Sequence, residues 1–115
     1  MYIQISEDKV LVSRKLAKAM EVKGNQLPSG FIQMSLIKGT SRYAIIKRTA
    51  EESFKTQCSA LLPTGEKRTP YYFNWTIPSI DMFLYTTGMS LINTKILKVK
   101  ERITNNIVYY EICNK

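Results

Sequence analysis

"ILKVKERITNNIVYYEIC", residues 96–113, is the stretch on which the reading of this chain turns. Apolar and polar residues alternate on both sides of Asn105-Asn106, the period of two extended strands whose two faces meet different surroundings. Asparagine tolerates positive φ, which both central positions of a type I′ turn require, so the spacing predicts a tight β-hairpin. A two-residue turn sets Thr104 opposite Ile107, Arg102 opposite Tyr109, Lys100 opposite Glu111 and Lys98 opposite Cys113. The last three of these pairs share a face with Ile96. The other face carries Val99, Ile103, Val108, Tyr110 and Ile112, interrupted only by Glu101. One face is therefore expected to enter a core, and the other to form a cationic stripe beside a tyrosine.

Alternate residues of a strand lie roughly 6–7 Å apart, so Lys98, Lys100 and Arg102 match the phosphate repeat of an extended single strand. Tyr109 beside them offers a ring on which a base can stack. Basic strands with an interleaved aromatic form the sheet platform of many RNA and single-strand binders. The plain alternative is a solvated face whose lysines protect a sheet edge from pairing.

The charge of the whole chain points the same way. Of 115 residues, 17 are Lys or Arg and 9 are Asp or Glu, a net charge of +8. Residues 9–48 hold nine cations against one acid, Glu21, and so account for all of the excess. Such a field concentrates polyanions, which favours nucleic acid, an anionic membrane surface or an acidic protein partner. Within it, "FIQMSLIK" (31–38) and "RYAIIKR" (42–48) alternate around "GTS" (39–41) and read as a hairpin with a three-residue turn. Arg42, Lys47 and Arg48 belong to it. Lys67 and Arg68 fall in the turn "PTGEKRTP" (63–70), just ahead of the aromatic run "YYFNWTI" (71–77). If that run is extended, Tyr71, Phe73, Trp75 and Ile77 share a face, which suits a core. Tyr72 then lies with Asn74 and Thr76, exposed. Arg42, Lys47, Arg48, Lys67, Arg68 and Tyr72 thus form a second ring of candidates around Lys98, Lys100, Arg102 and Tyr109.

The remaining elements complete an α+β order. "YIQI" (2–5) reads as a strand, and Ser6 ahead of Glu7 and Asp8 as a helix N-cap. Val12, Leu16, Ala19 and Met20 then recur at helical spacing up to a stop at Gly24, with "KVLVS" (9–13) as a strand the competing reading. "GNQLPSG" (24–30) is a turn cluster, "TAEES" (49–53) a helical turn or loop, and "FKTQCSALL" (54–62) a strand. Ile80, Phe83, Leu84 and Thr87, closed by Gly88, mark a short amphipathic helix. The expected fold is a single domain over 1–115, a small, mostly antiparallel, strongly bent sheet or partly open β-barrel. Two short helices cap it and a β-hairpin ends it.

Several function classes recede. The chain has no histidine, which removes the commonest general base, the Ser-His and Cys-His pairs and most zinc sites. Cys58 and Cys113, far apart in sequence, read as small buried apolar residues in a reducing compartment. No phosphate-binding glycine motif occurs, and the acid-x-Lys triplets at 7–9 and 21–23 lack an acidic partner. No apolar run approaches the ~20 residues of a membrane span, and the first residues lack a secretory signal, so a cytoplasmic location is expected. Cofactors and metals are not called for. The expectation is a non-catalytic protein that binds RNA or single-stranded DNA in a regulatory or protective role, since no helix-turn-helix is visible for duplex. Alternatives are a module docking an acidic protein and a histidine-free ribonuclease using Glu111. A free hairpin edge leaves a homodimer possible.

Overall fold

The computed structural model describes residues 1–20, 30–65, 71–90 and 95–113. Eight antiparallel strands close on themselves as a barrel. In chain order they are β1 (Tyr2–Ser6), β2 (Lys9–Val12), β3 (Gly30–Leu36), β4 (Tyr43–Arg48), β5 (Ser59–Pro63), β6 (Tyr71–Asn74), β7 (Lys95–Thr104) and β8 (Ile107–Cys113). Around the wall they run β1-β2-β6-β5-β3-β4-β8-β7, and β7 returns to β1 through the pairs Tyr2↔Lys98 to Ile5↔Lys95. Among the described residues three short helices accompany them, α1 (Arg14–Ala19), α2 (Ala50–Lys55) and α3 (Ile77–Thr87). Of the sheet forms the sequence suggests, the barrel is the one adopted, and it is closed. Among the described residues no helix is long and apolar enough to cross a membrane.

An eight-stranded barrel is just wide enough for side chains to fill it. Ile3 and Ile5 of β1, Val10 and Val12 of β2, Ile32 of β3, Ile45 of β4, Leu61 of β5, Phe73 of β6, Leu97 and Val99 of β7 and Ile112 of β8 do so. α1 closes one end with Leu16, Ala17 and Met20, and the Tyr110 hydroxyl donates to the Ala19 carbonyl there at 3.1 Å. α3 closes the opposite end with Ile80 and Phe83. The Phe83 ring meets Tyr43 edge-on at 4.9 Å and Trp75 at 5.8 Å.

The first stretch departs from its helical reading. Glu7 and Asp8 form a turn, with Glu7 at φ 49°, and the chain doubles back as β2. Period-two burial of Val10 and Val12 overrides the weaker helical spacing, because barrel closure buries the face that alternates. The helix begins later, and its N-cap is Ser13 rather than Ser6: the Ser13 Oγ accepts from Leu16 N–H at 3.2 Å and from Tyr2 N–H at 3.1 Å. The turn cluster at 24–30 and the stop at Gly24 lie outside the described residues, except for Gly30, which opens β3.

Three other segments also differ from expectation. The β3–β4 loop is a residue longer than a three-residue turn, closed by Ile37 N–H donating to the Arg42 carbonyl at 2.7 Å. α2 runs through Phe54 and Lys55, so the strand expected from residue 54 starts only at Ser59, and Phe54 is left exposed. The aromatic strand stops at Asn74. Tyr71 and Phe73 point inward as expected, but Trp75 is half-buried beyond the strand and Ile77, in the first turn of α3, is 60% exposed. Thr76 caps α3, accepting from Ser79 N–H at 3.2 Å and so ending the extended backbone. Gly88 terminates the helix at φ 73°.

Replacing Ser13 with alanine removes one acceptor from two backbone N–H groups, one of them at the start of β1. Loss of a cap of this kind costs about 1–2 kcal/mol, which is expected as a lower midpoint in urea unfolding with an unchanged slope.

Candidate nucleic-acid interface

The terminal hairpin has the register read from its sequence, from Lys98↔Cys113 through Lys100↔Glu111 and Arg102↔Tyr109 to Thr104↔Ile107. Asn105 and Asn106 take φ of 51° and 65°. Leu97, Val99, Tyr110 and Ile112 face the core, and Lys98, Lys100 and Arg102 stand exposed on the outer wall with Tyr109 half-buried beside them. The inward face ends sooner than expected. Ile103 is 67% exposed and Val108 40%, because the hairpin continues past the start of β1 and past the last β4–β8 pair.

Glu111 organises this wall. Its register turns it outward, opposite Ala44 of β4, yet it is 6% exposed. Its carboxylate meets Arg42 Nη1 at 3.2 Å and Arg102 Nη2 at 3.7 Å. One acid thus draws a guanidinium from each side, joining the start of β4 to the stripe on β7. A groove of about 300 Å³ adjoins it, lined among others by Leu36, Ala44, Ile46, Thr104 and Tyr109.

The second ring divides. Arg42 joins the stripe. Arg48 does not: its Nε and Nη2 donate to Gln33 Oε1 at 2.9 and 2.7 Å, and its Nη1 to Glu52 Oε2 at 3.0 Å. Lys47 is exposed at the end of β4 with no partner among the described residues. Tyr72 is half-buried on β6, three strands from β7, with the Lys9 ammonium 5.1 Å from its ring centroid. Lys67 and Arg68 lie outside the described residues. Cys58 and Cys113 are free thiols, each half-buried rather than buried.

A second concavity, of about 500 Å³, opens between β3, β6 and α3, and Tyr43, Gln57, Asn74 and Trp75 are among its lining. Nothing in the sequence marks it, because its residues come from segments brought together only by barrel closure. The link from Arg42 to Glu111 is equally hidden, since it needs the β4–β8 pairing; the single acid amid the cations of the stripe is its one visible sign. Comparison of the chain with protein-family models, with curated proteins and with solved structures finds no match.

Arg48 holds the Glu52 carboxyl below the ordinary glutamate value through its hydrogen bond, helped by the Thr49 hydroxyl. A depressed value in the folded state contributes stability above the unfolded value, lost as pH falls through the folded one. Arg48→Gln should therefore move the Glu52 titration up toward its ordinary value. Carboxyl chemical shifts followed by NMR across the acid range read this directly.

Proposed function

We propose that the outer wall of β7 and β8 binds single-stranded nucleic acid, RNA or single-stranded DNA, without catalysing a reaction, in a regulatory or protective role. The observation that carries this reading is the exposed row Lys98, Lys100 and Arg102, extended by Arg42 through the shared carboxylate of Glu111. A row of cations at strand spacing suits the phosphates of an extended strand, and the Tyr109 ring beside it suits a base. The same row fits duplex less well, since no paired recognition helix accompanies it among the described residues.

One observation favours a different partner. Ile103 and Ile107, 67% and 58% exposed, stand at the hairpin tip next to the cations. Apolar groups beside a basic row suit an acidic protein, docked by this face. The two readings separate by salt: phosphate contacts weaken steeply as salt rises, whereas apolar contacts persist.

The test is binding of labelled single-stranded RNA, single-stranded DNA and duplex DNA across a salt series. Replacing Lys98, Lys100 and Arg102 with glutamine should flatten the slope of log affinity against log salt by about 0.7 for each phosphate no longer neutralised. An unchanged slope would remove the stripe from the interface. Glu111→Gln should do the opposite, releasing two guanidinium groups toward phosphate and raising affinity about two- to fivefold at low salt. Weaker binding by that variant would mean that Glu111 acts by holding both arginines in place.

A further inference from the structure

The barrel is closed, but its ladders are short on one side. β5 pairs with β3 only as far as Ile32↔Ser59, so on that side β3 runs on to Leu36 without a neighbouring strand among the described residues. β5 also pairs with β6 no further than Leu62↔Tyr72, and beyond it the Ser59 Oγ donates to the Asn74 carbonyl at 2.9 Å. The cleft of about 500 Å³ fills this gap, a volume within the range of roughly 300–1,000 Å³ typical of ligand sites.

Its lining is specific in chemistry. In a chain of net charge +8, none of the fifteen described residues around the cleft is Lys, Arg, Asp or Glu. Tyr43, Phe73 and Trp75 supply aromatic surface, and the Trp75 ring is fixed edge-on against Tyr43 and Phe83 at 6.3 and 5.8 Å. Three carboxamides supply polarity. The side chains of Gln57 and Asn74 have no hydrogen-bond partner among the described residues. Gln33 commits its oxygen to Arg48, which leaves its amide nitrogen as a donor.

A site without cations is poorly suited to phosphate. A flat neutral group with a donor-and-acceptor edge fits it: a carboxamide offers both functions, and an aromatic ring accepts any planar heterocycle. That description is a nucleobase. The cleft neighbours the groove that contains Tyr109, since Ser35 and Leu36 of β3 line both.

We infer that the cleft receives one unstacked base of a single strand whose phosphates lie on Lys98, Lys100 and Arg102, an inference that rests on the function proposed above. Asn74 and Gln57 read the edge of that base, and Trp75 meets its face. The stripe supplies affinity without regard to sequence, and the cleft supplies a preference among bases.

The experiment compares short A, C and U homopolymers of RNA on the wild-type protein, on the double variant Asn74→Ala, Gln57→Ala, and on the stripe variant. Both substituted residues of the double variant are exposed, and a thermal melt checks that it is folded. The wild type is expected to prefer one homopolymer and to show quenching of its only tryptophan, Trp75, on binding it. The double variant should bind that strand about tenfold more weakly and level the preference, with its salt slope intact. The stripe variant should show the converse, a flatter slope with the preference kept. If the wild type binds with a steep salt slope but the double variant matches it for every strand, the base site is wrong and the strand-binding surface stands. If the stripe variant binds as the wild type does, the surface itself is wrong, and the inference falls with it.

Discussion

Barrel closure by β1 against β7 is the constraint on which the rest of the structure depends. Pairing Tyr2 with Lys98 and Ile3 with Leu97 fixes which residues of the terminal hairpin turn inward. A slip of one residue would turn Lys98 and Lys100 into the barrel and Leu97 and Val99 out of it. Burying an unpaired ammonium group is costly enough to forbid that alternative, so one register satisfies both the core and the cations. The outer wall is therefore a by-product of how the inner wall is packed.

How much of this is legible in the sequence follows from the range of each interaction. The hairpin register is readable because everything that sets it lies within eighteen consecutive residues, down to the two asparagines at positive φ. The Tyr43–Arg48 strand and the helix closed by Gly88 are readable for the same reason. The first helix is not, since Val12, Leu16, Ala19 and Met20 fit a helix as well as Val10 and Val12 fit a strand. Only the neighbouring strands β1 and β6 decide between them. Ile103 and Val108 obey the right period but sit on a hairpin that outruns its partners, and strand length relative to neighbours is not written in local pattern. At the site, the row Lys98, Lys100, Arg102 is visible in the sequence. Its link to Arg42 and the cleft beside Trp75 require strands distant in sequence to meet.

Glu111 shows how a nearly buried acid can serve a basic surface. Alone among cations it looks like a defect in the stripe. Between Arg42 and Arg102 it lowers their mutual repulsion by drawing both guanidinium groups to one carboxylate. The arginines are each about half exposed, so the arrangement costs less desolvation than a fully interior pair. Arg48 has the opposite fate: with Gln33 and Glu52 as partners, it braces α2 against β3.

The closure by the first and seventh strands also governs the order of events at the ribosome. β1 leaves the exit tunnel ahead of β7, and its second neighbour is not synthesised until Lys95–Lys98 emerge some ninety residues later. Through that whole interval one edge of β1, with Ile3 and Ile5 beside it, has no partner, and contacts of such long sequence separation form slowly. The nascent chain is thus an open sheet with a waiting edge, and its vulnerable interval is set by the length of chain between the two strands rather than by the stability of the finished barrel.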